Sequence, residues 1–180
     1  ISLEREKTTF LKQRADYIID TSQLLTRELR NEIRQIFVEE RTFKNLYVSV
    51  MSFGFKYGIP TDADLVFDVR FLPNPYYVSD LRPLTGLDEP IKQFVRRSPE
   101  CDIFLEKFDD MLNFLIPHYV KEGKNQLVVA VGCTGGRHRS VMLADEIYKR
   151  LSTNTDYGVR ILHRDMQKDL VTKQRDYEVN

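Results

Sequence analysis

The 180-residue sequence predicts an α/β domain, a mostly parallel sheet flanked by helices. Short β-branched runs alternate with longer stretches whose apolar residues recur every three or four positions. The strongest run, residues 127–131, is apolar throughout, as in a strand buried on both faces. A glycine turn and an amphipathic segment follow it directly, giving strand, loop and helix in one piece.

Residues 1–14 are charged and helix-compatible. Asp16-Tyr17-Ile18-Ile19-Asp20 reads as a short strand, and Asp20-Thr21-Ser22 then caps or leads into a helix over 24–37. Leu25, Leu29, Ile33, Ile36 and Phe37 form its apolar face. A lone strand–helix unit cannot be a stable domain. Residues 1–40 are therefore read as the end of an upstream domain, and residues 41–180 as a ligand-binding α/β domain. The sequence opens at Ile1 in mid-pattern, as a piece of a longer chain does.

The second unit begins with a strand over 45–50, followed by a glycine-rich, cation-bearing loop from Ser52 to Pro60. A second strand covers 65–69, with Asp68, Arg70 and Asn74 at and beyond its end, around the turn Leu72-Pro73-Asn74-Pro75. Helices are predicted over 87–97 and 100–116, the second with Phe104, Phe108, Met111, Leu112 and Leu115 as its core stripe. After the 127–131 strand, Val141, Ala144, Ile147, Tyr148 and Leu151 mark one buried helical stripe, and residues 158–162 a last strand. In open α/β sheets ligands bind beyond the carboxyl ends of the strands. Loops 52–58, 68–74 and 133–140 should therefore converge on one site.

The chemistry concentrates in Gly132-Cys133-Thr134-Gly135-Gly136-Arg137-His138-Arg139-Ser140. A glycine loop opening a helix turns backbone amides toward an anion, and the positive end of the helix dipole adds to them. Gly135, Gly136 and Arg139 are expected to hold a phosphate, with charge from Arg137 and His138 and hydroxyls from Thr134 and Ser140. Ser52, Lys56, Asp68, Arg70 and Asn74 should meet the sugar or nucleoside end. Two other readings compete. One is a tight turn whose arginines face water. The other is a cysteine phosphatase, because Cys133 precedes Arg139-Ser140 with C-x₅-R-[ST] spacing. No aspartate loop is placed as a general acid, so Cys133 is taken as a ligand-touching but unreactive thiol and no residue as catalytic. A Walker A loop is absent.

Composition narrows the partners. Lysine plus arginine and aspartate plus glutamate number 27 each, so no global basic field draws in nucleic acid. Two cysteines in unlike contexts suggest a reduced, cytoplasmic protein. No apolar run approaches the roughly 18 residues of a membrane span, so no membrane partner is expected. Three scattered histidines give no metal signature.

Four stretches together resemble the RapZ/YvcJ proteins of bacteria. They are Ser52-Phe53-Gly54-Phe55-Lys56-Tyr57-Gly58-Ile59-Pro60, Phe67-Asp68-Val69-Arg70-Phe71-Leu72-Pro73-Asn74-Pro75, Leu81-Arg82-Pro83-Leu84-Thr85-Gly86-Leu87-Asp88, and the 132–140 loop. The resemblance implies that residues 1–37 end a P-loop kinase-like domain whose Walker motifs lie outside this chain. It implies that the rest resembles a phosphofructokinase subdomain. A whole protein of this kind would bind and slowly hydrolyse ATP or GTP with Mg, whereas this chain needs no cofactor. The implied partners are a phosphorylated amino sugar or sugar nucleotide, a small RNA presented to an endoribonuclease, and a regulatory protein, with self-association left open. The implied role is control of amino-sugar and cell-envelope metabolism. Tyr76 stands where RapZ has a histidine, and residues 164–180 carry four basic and four acidic side chains. The YvcJ-like branch is therefore the better match, and the RNA-adapter role the least transferable.

Overall fold

The computed structural model describes residues 15, 18, 19, 21, 24–37 and 46–168. In chain order these form α1 (Thr26–Phe37), β1 (Tyr47–Gly54), β2 (Leu65–Asp68), α2 (Glu89–Val95), α3 (Glu100–Glu122), β3 (Gln126–Cys133), α4 (Arg139–Leu151) and β4 (Gly158–His163). The strands make one all-parallel sheet in the order β2-β3-β1-β4, flanked by α2, α3 and α4. The class is α/β, as the alternation predicts.

β1 is longer than its sequence suggests. It pairs with β3 as far as Gly54↔Cys133 and with β4 as far as Ser52↔His163. Ladders on both sides keep Ser52 extended and the β3 ladder carries on through Phe53 and Gly54, so the loop starts only at Phe55. β3 likewise runs on through Gly132 to Cys133. α3 continues past Ile116 to Glu122 with Pro117 inside it and ends at Gly123, whose φ of 88° suits a left-handed cap. Pro117 has no N–H to give the Asn113 carbonyl, but Ile116 and Tyr119 pack against the core around it. The buried face of α3 is Cys101, Leu105, Phe108, Leu112 and Ile116, a stripe rotated from the predicted one, with Phe104 and Leu115 at its margin.

α4 begins at Arg139 rather than Val141, and its first six residues are all buried. A single apolar stripe does not describe it, because the helix crosses β1, β3 and β4. Of the predicted apolar face, Leu25, just before α1, and Ile33 and Phe37 on it are exposed. The predicted strand over 16–20 lies largely outside the described residues, and Ile18 and Ile19 are not in a strand. No helix among the described residues is long and apolar enough to cross a membrane.

The topology places the site. From β1 the chain crosses past β3 to β2, whereas from β3 it crosses past β1 to β4. Two adjacent central strands thus send their connections in opposite directions, which opens a crevice at their carboxyl ends.

Candidate functional site

A cleft of about 630 Å³ opens at that point. Lys56 comes to it from the loop after β1. Asn74, Tyr76, Tyr77, Ser79, Arg82 and Pro83 come from the segment after β2, and six residues between Cys133 and Arg139 from the loop after β3. The three predicted loops do meet. Lys56 N–H donates to the Thr134 carbonyl at 3.2 Å, tying the first to the third.

The β3–α4 loop turns at Gly136, which is buried with φ of 73°. Its N–H donates to Cys133 Sγ at 3.3 Å, and Ser140 Oγ lies 3.1 Å from the same sulfur. Gly136 and Ser140 therefore shape the loop from behind, while Thr134 and Gly135 face the cleft. His138 is the N-cap of α4 and makes no side-chain cap bond. The first amides of the helix consequently have no intrahelical partner, and they add to the positive end of its dipole.

The cations are held differently from one another. Arg139, only 5% exposed, donates from Nη1 to the carbonyls of Arg70 (2.7 Å) and Leu72 (3.1 Å), and from Nη2 to Thr134 Oγ1 (3.3 Å). Burial lowers its pKa from the ordinary value, yet a guanidinium keeps its charge in a protein. Arg137 is turned the other way. It donates to the Leu84 carbonyl from Nε, to Met166 from Nη1 and to Pro83 from Nη2. It staples three chain segments. His138 Nε2–H donates to the Arg82 carbonyl at 3.2 Å. Burial pulls its pKa below the usual histidine value, against that hydrogen bond and helped by the nearby Arg137. It thus supplies a neutral ring near pH 7, not the positive charge expected. Lys56 Nζ sits 4.8 Å from the Tyr57 ring centre, and the Arg82 guanidinium lies over Tyr76 at 4.9 Å.

Besides Gly136 and Ser140, three predicted contacts lie outside the cleft lining. Ser52 is fully buried in β1, its Oγ hydrogen-bonded to His163 Nδ1 at 2.9 Å. Asp68 and Arg70 pair with each other at 2.6 Å on the surface, and Arg70 also covers the Phe55 ring. That pairing holds the Asp68 carboxyl below its ordinary pKa. Arg70 serves the site through its backbone carbonyl alone. Asn74 does line the cleft, and its Oδ1 accepts the Tyr76 N–H.

Sequence reasoning missed the wall made by Tyr76, Tyr77, Ser79, Arg82 and Pro83. Its signals were the Leu81–Asp88 stretch, which holds Arg82 and Pro83, and the Tyr76 departure from RapZ, both used for the resemblance but not for the site. Asp165 was missed as well. It is 1% exposed, accepts the Gly54 N–H at 2.8 Å, and pairs with Arg164 (2.7 Å) and Lys168 (2.6 Å). Burial raises its pKa, but the Arg164, Gly54 and Lys168 bonds outweigh burial and leave it below the carboxylate norm.

Chemically the cleft is a cationic, carboxylate-free basin with an aromatic wall. No Asp or Glu lines it, so Cys133 has no carboxylic acid beside it to protonate a leaving group. Among the described residues no group of three or more His, Cys, Asp or Glu could hold a metal.

The comparisons with known proteins agree with one another. The family model of the RapZ C-terminal domain matches residues 46–167. A protein of Agathobacter rectalis named nucleotide-binding protein is 62% identical over 169 residues, covering 94% of this chain and 58% of that protein. A nucleotide-binding protein of Lachnoclostridium phytofermentans is 61% identical over 93% of this chain and 59% of its own length. One from Bacillus cytotoxicus is 55% identical, over 93% and 56% respectively. The chain therefore spans a little under three fifths of these curated relatives. With the family match covering the whole sheet and cleft, the chain belongs to the RapZ C-terminal domain family.

Proposed function

We propose that this domain binds a phosphorylated metabolite in the cleft, a phosphorylated amino sugar or a sugar nucleotide, and that binding regulates a longer cytoplasmic protein acting in amino-sugar metabolism. One observation carries the reading. Lys56, Arg82, Arg137 and Arg139 line the cleft and no carboxylate does. A basin with four cations and no acid attracts an anion, repels metal cations and gives a neutral sugar no electrostatic preference. The phosphate belongs against the first turn of α4, where Thr134, Gly135 and the uncommitted donors of Arg139 meet the unpartnered helix amides. The Tyr76 and Tyr77 rings at the mouth offer apolar faces to a sugar or a base. The size suits either ligand, since small-molecule pockets run from about 300 to 1,000 Å³. The relatives' shared name supports a nucleotide-linked role for the whole protein, with ATP or GTP and Mg handled by the region upstream.

Calorimetry with glucosamine-6-phosphate and UDP-N-acetylglucosamine tests this. At least one should bind at micromolar to millimolar concentration. Charged hydrogen bonds to phosphate contribute roughly 1.5–3 kcal/mol each, so Arg139→Ala should weaken binding by about tenfold or more in a protein whose circular dichroism is unchanged. No heat from either ligand, or from any sugar phosphate or nucleotide, sinks the proposal.

A further inference from the structure

The loop after β3 does not hold its shape alone. Its underside rests on the end of β1, so closely that a methyl group on Gly54 would lie 2.6 Å from the Gly135 carbonyl carbon. One on Gly136 would lie 2.6 Å from the Gly54 nitrogen and 2.9 Å from Asp165 Cβ. Behind β1 comes the short segment that follows β4. Asp165 Oδ2 accepts the Gly54 N–H at 2.8 Å, and the Met166 carbonyl accepts Arg137 Nη1 at 3.0 Å. Arg164 and Lys168 close over the Asp165 carboxylate, and Arg164 reaches on to the Gly58 carbonyl at 2.6 Å. Gly54 and Gly136 are buried, and Asp165 is almost wholly so. Asp165 does not line the cleft.

We propose that the segment after β4 is a buttress for the anion loop, with Asp165 as its positioning residue. Asp165 fixes Gly54 and backs Gly136, and the Gly54 backbone in turn sets the plane in which Thr134 and Gly135 present themselves to an anion. Arg137 is the second attachment, joining the loop to Met166. This rests on the anion reading of the cleft and adds a residue that never touches the ligand. It also predicts an unusual sign. By charge alone, deleting a carboxylate behind an anion site strengthens anion binding. A buttress predicts weaker binding.

The test is calorimetry of Asp165→Ala and Asp165→Asn on the full chain, with glucosamine-6-phosphate and inorganic phosphate as probes. Asp165→Ala should weaken binding by roughly fivefold to tenfold, the scale of coupling between linked sites. Asp165→Asn retains an oxygen for the Gly54 N–H and should stay within about twofold of wild type. Affinity unchanged or improved in Asp165→Ala overturns the proposal. If that variant does not fold, Arg137→Lys decides, because it keeps the charge but cannot span the three carbonyls. Weaker binding with an unchanged salt dependence supports the buttress, and wild-type affinity overturns it. Wild-type protein that binds neither probe refutes instead the anion reading beneath it.

Discussion

Gly136→Ala should damage both stability and binding, and another glycine calibrates by how much. Gly123 and Gly136 both have positive φ, at 88° and 73°. An alanine in the left-handed region costs roughly 1–2 kcal/mol, of which about 0.4–1 kcal/mol is regained through a stiffer unfolded chain. At Gly123, whose ψ of 18° completes the left-handed conformation, nothing lies within 4 Å of an added methyl, so that difference is the whole effect. At Gly136 the methyl meets Gly54 N at 2.6 Å, Phe53 C at 2.9 Å and Asp165 Cβ at 2.9 Å. Two of these are backbone atoms of the central strand, held by the β3 ladder and by the Gly54–Asp165 hydrogen bond, so no flexible side chain can yield. Overpacking of that kind adds about 1–3 kcal/mol. The expected loss is therefore about 0–1.6 kcal/mol for Gly123→Ala, and roughly 1–4.6 kcal/mol for Gly136→Ala, against a typical domain stability of about 5–15 kcal/mol. Urea denaturation followed by circular dichroism reads this directly. With a slope of about 2 kcal/mol per molar, the Gly136→Ala midpoint falls by roughly 0.5–2.3 M and that of Gly123→Ala by less than about 0.8 M. A Gly136→Ala midpoint no lower than that of Gly123→Ala would refute the claim that the loop is wedged against β1.

Three further outcomes follow from the site. His138 and His163 both lie below the ordinary histidine pKa, burial being the first cause. The unfolded chain therefore binds protons at these rings before the folded one, so stability present at neutral pH is lost as pH falls from about 6.5 toward the folded values. Thermal melts between about pH 7.5 and 5.5 should show a falling Tm, less steeply in His138→Gln, and a flat wild-type profile contradicts this. Ligand binding should be indifferent to EDTA, because Mg²⁺ and Ca²⁺ need oxygen ligands such as carboxylates and the cleft lining has no carboxylate. An affinity that collapses on chelation and returns with magnesium would count against the cleft as described. The chain should not hydrolyse p-nitrophenyl phosphate, and turnover abolished by Cys133→Ser would make Cys133 a nucleophile after all.

The fold was legible because its signals were local. The 127–131 run and the 141–151 periodicity are complete within their own windows, and β3 and α4 contain them. What local pattern could not reveal was where each element stops. Ser52, Phe53 and Gly54 carry polar and glycine signals that read as loop, yet β3 holds all three in register and β4 also holds Ser52. Pro117 reads as a helix end, yet tertiary packing of Ile116 and Tyr119 carries α3 past it. The choice of which α3 residues face inward was off by a small rotation for the same reason. Phe104 satisfies the spacing, but its ring packs edge-on to Phe67 near the β2 edge instead of entering the centre.

At the site, the positions were legible and the roles were not, because a sequence counts charges without saying where they point. Arg137, His138 and Arg139 look like three cations aimed at one phosphate. In the structure Arg137 spends its guanidinium on the carbonyls of Pro83, Leu84 and Met166. His138 is desolvated toward neutrality. Arg139 alone combines burial, a bond to Thr134 and a place at the helix entrance. A buried cation bonded to neutral carbonyls is costly unless its charge is used, and carbonyl dipoles neutralise none of it. Arg139 is such a guanidinium at a cleft whose lining has no carboxylate, and Asp68, the carboxylate that acts on it, is already paired with Arg70, so a charge excess remains at the cleft. An anion would cancel it. Affinity for one should therefore raise the stability of the domain by mass action, so a Tm that rises with glucosamine-6-phosphate in wild type, and fails to rise in Arg139→Ala, is the joint signature of the fold and the site. A Tm that rises equally in both would place the anion elsewhere on the molecule.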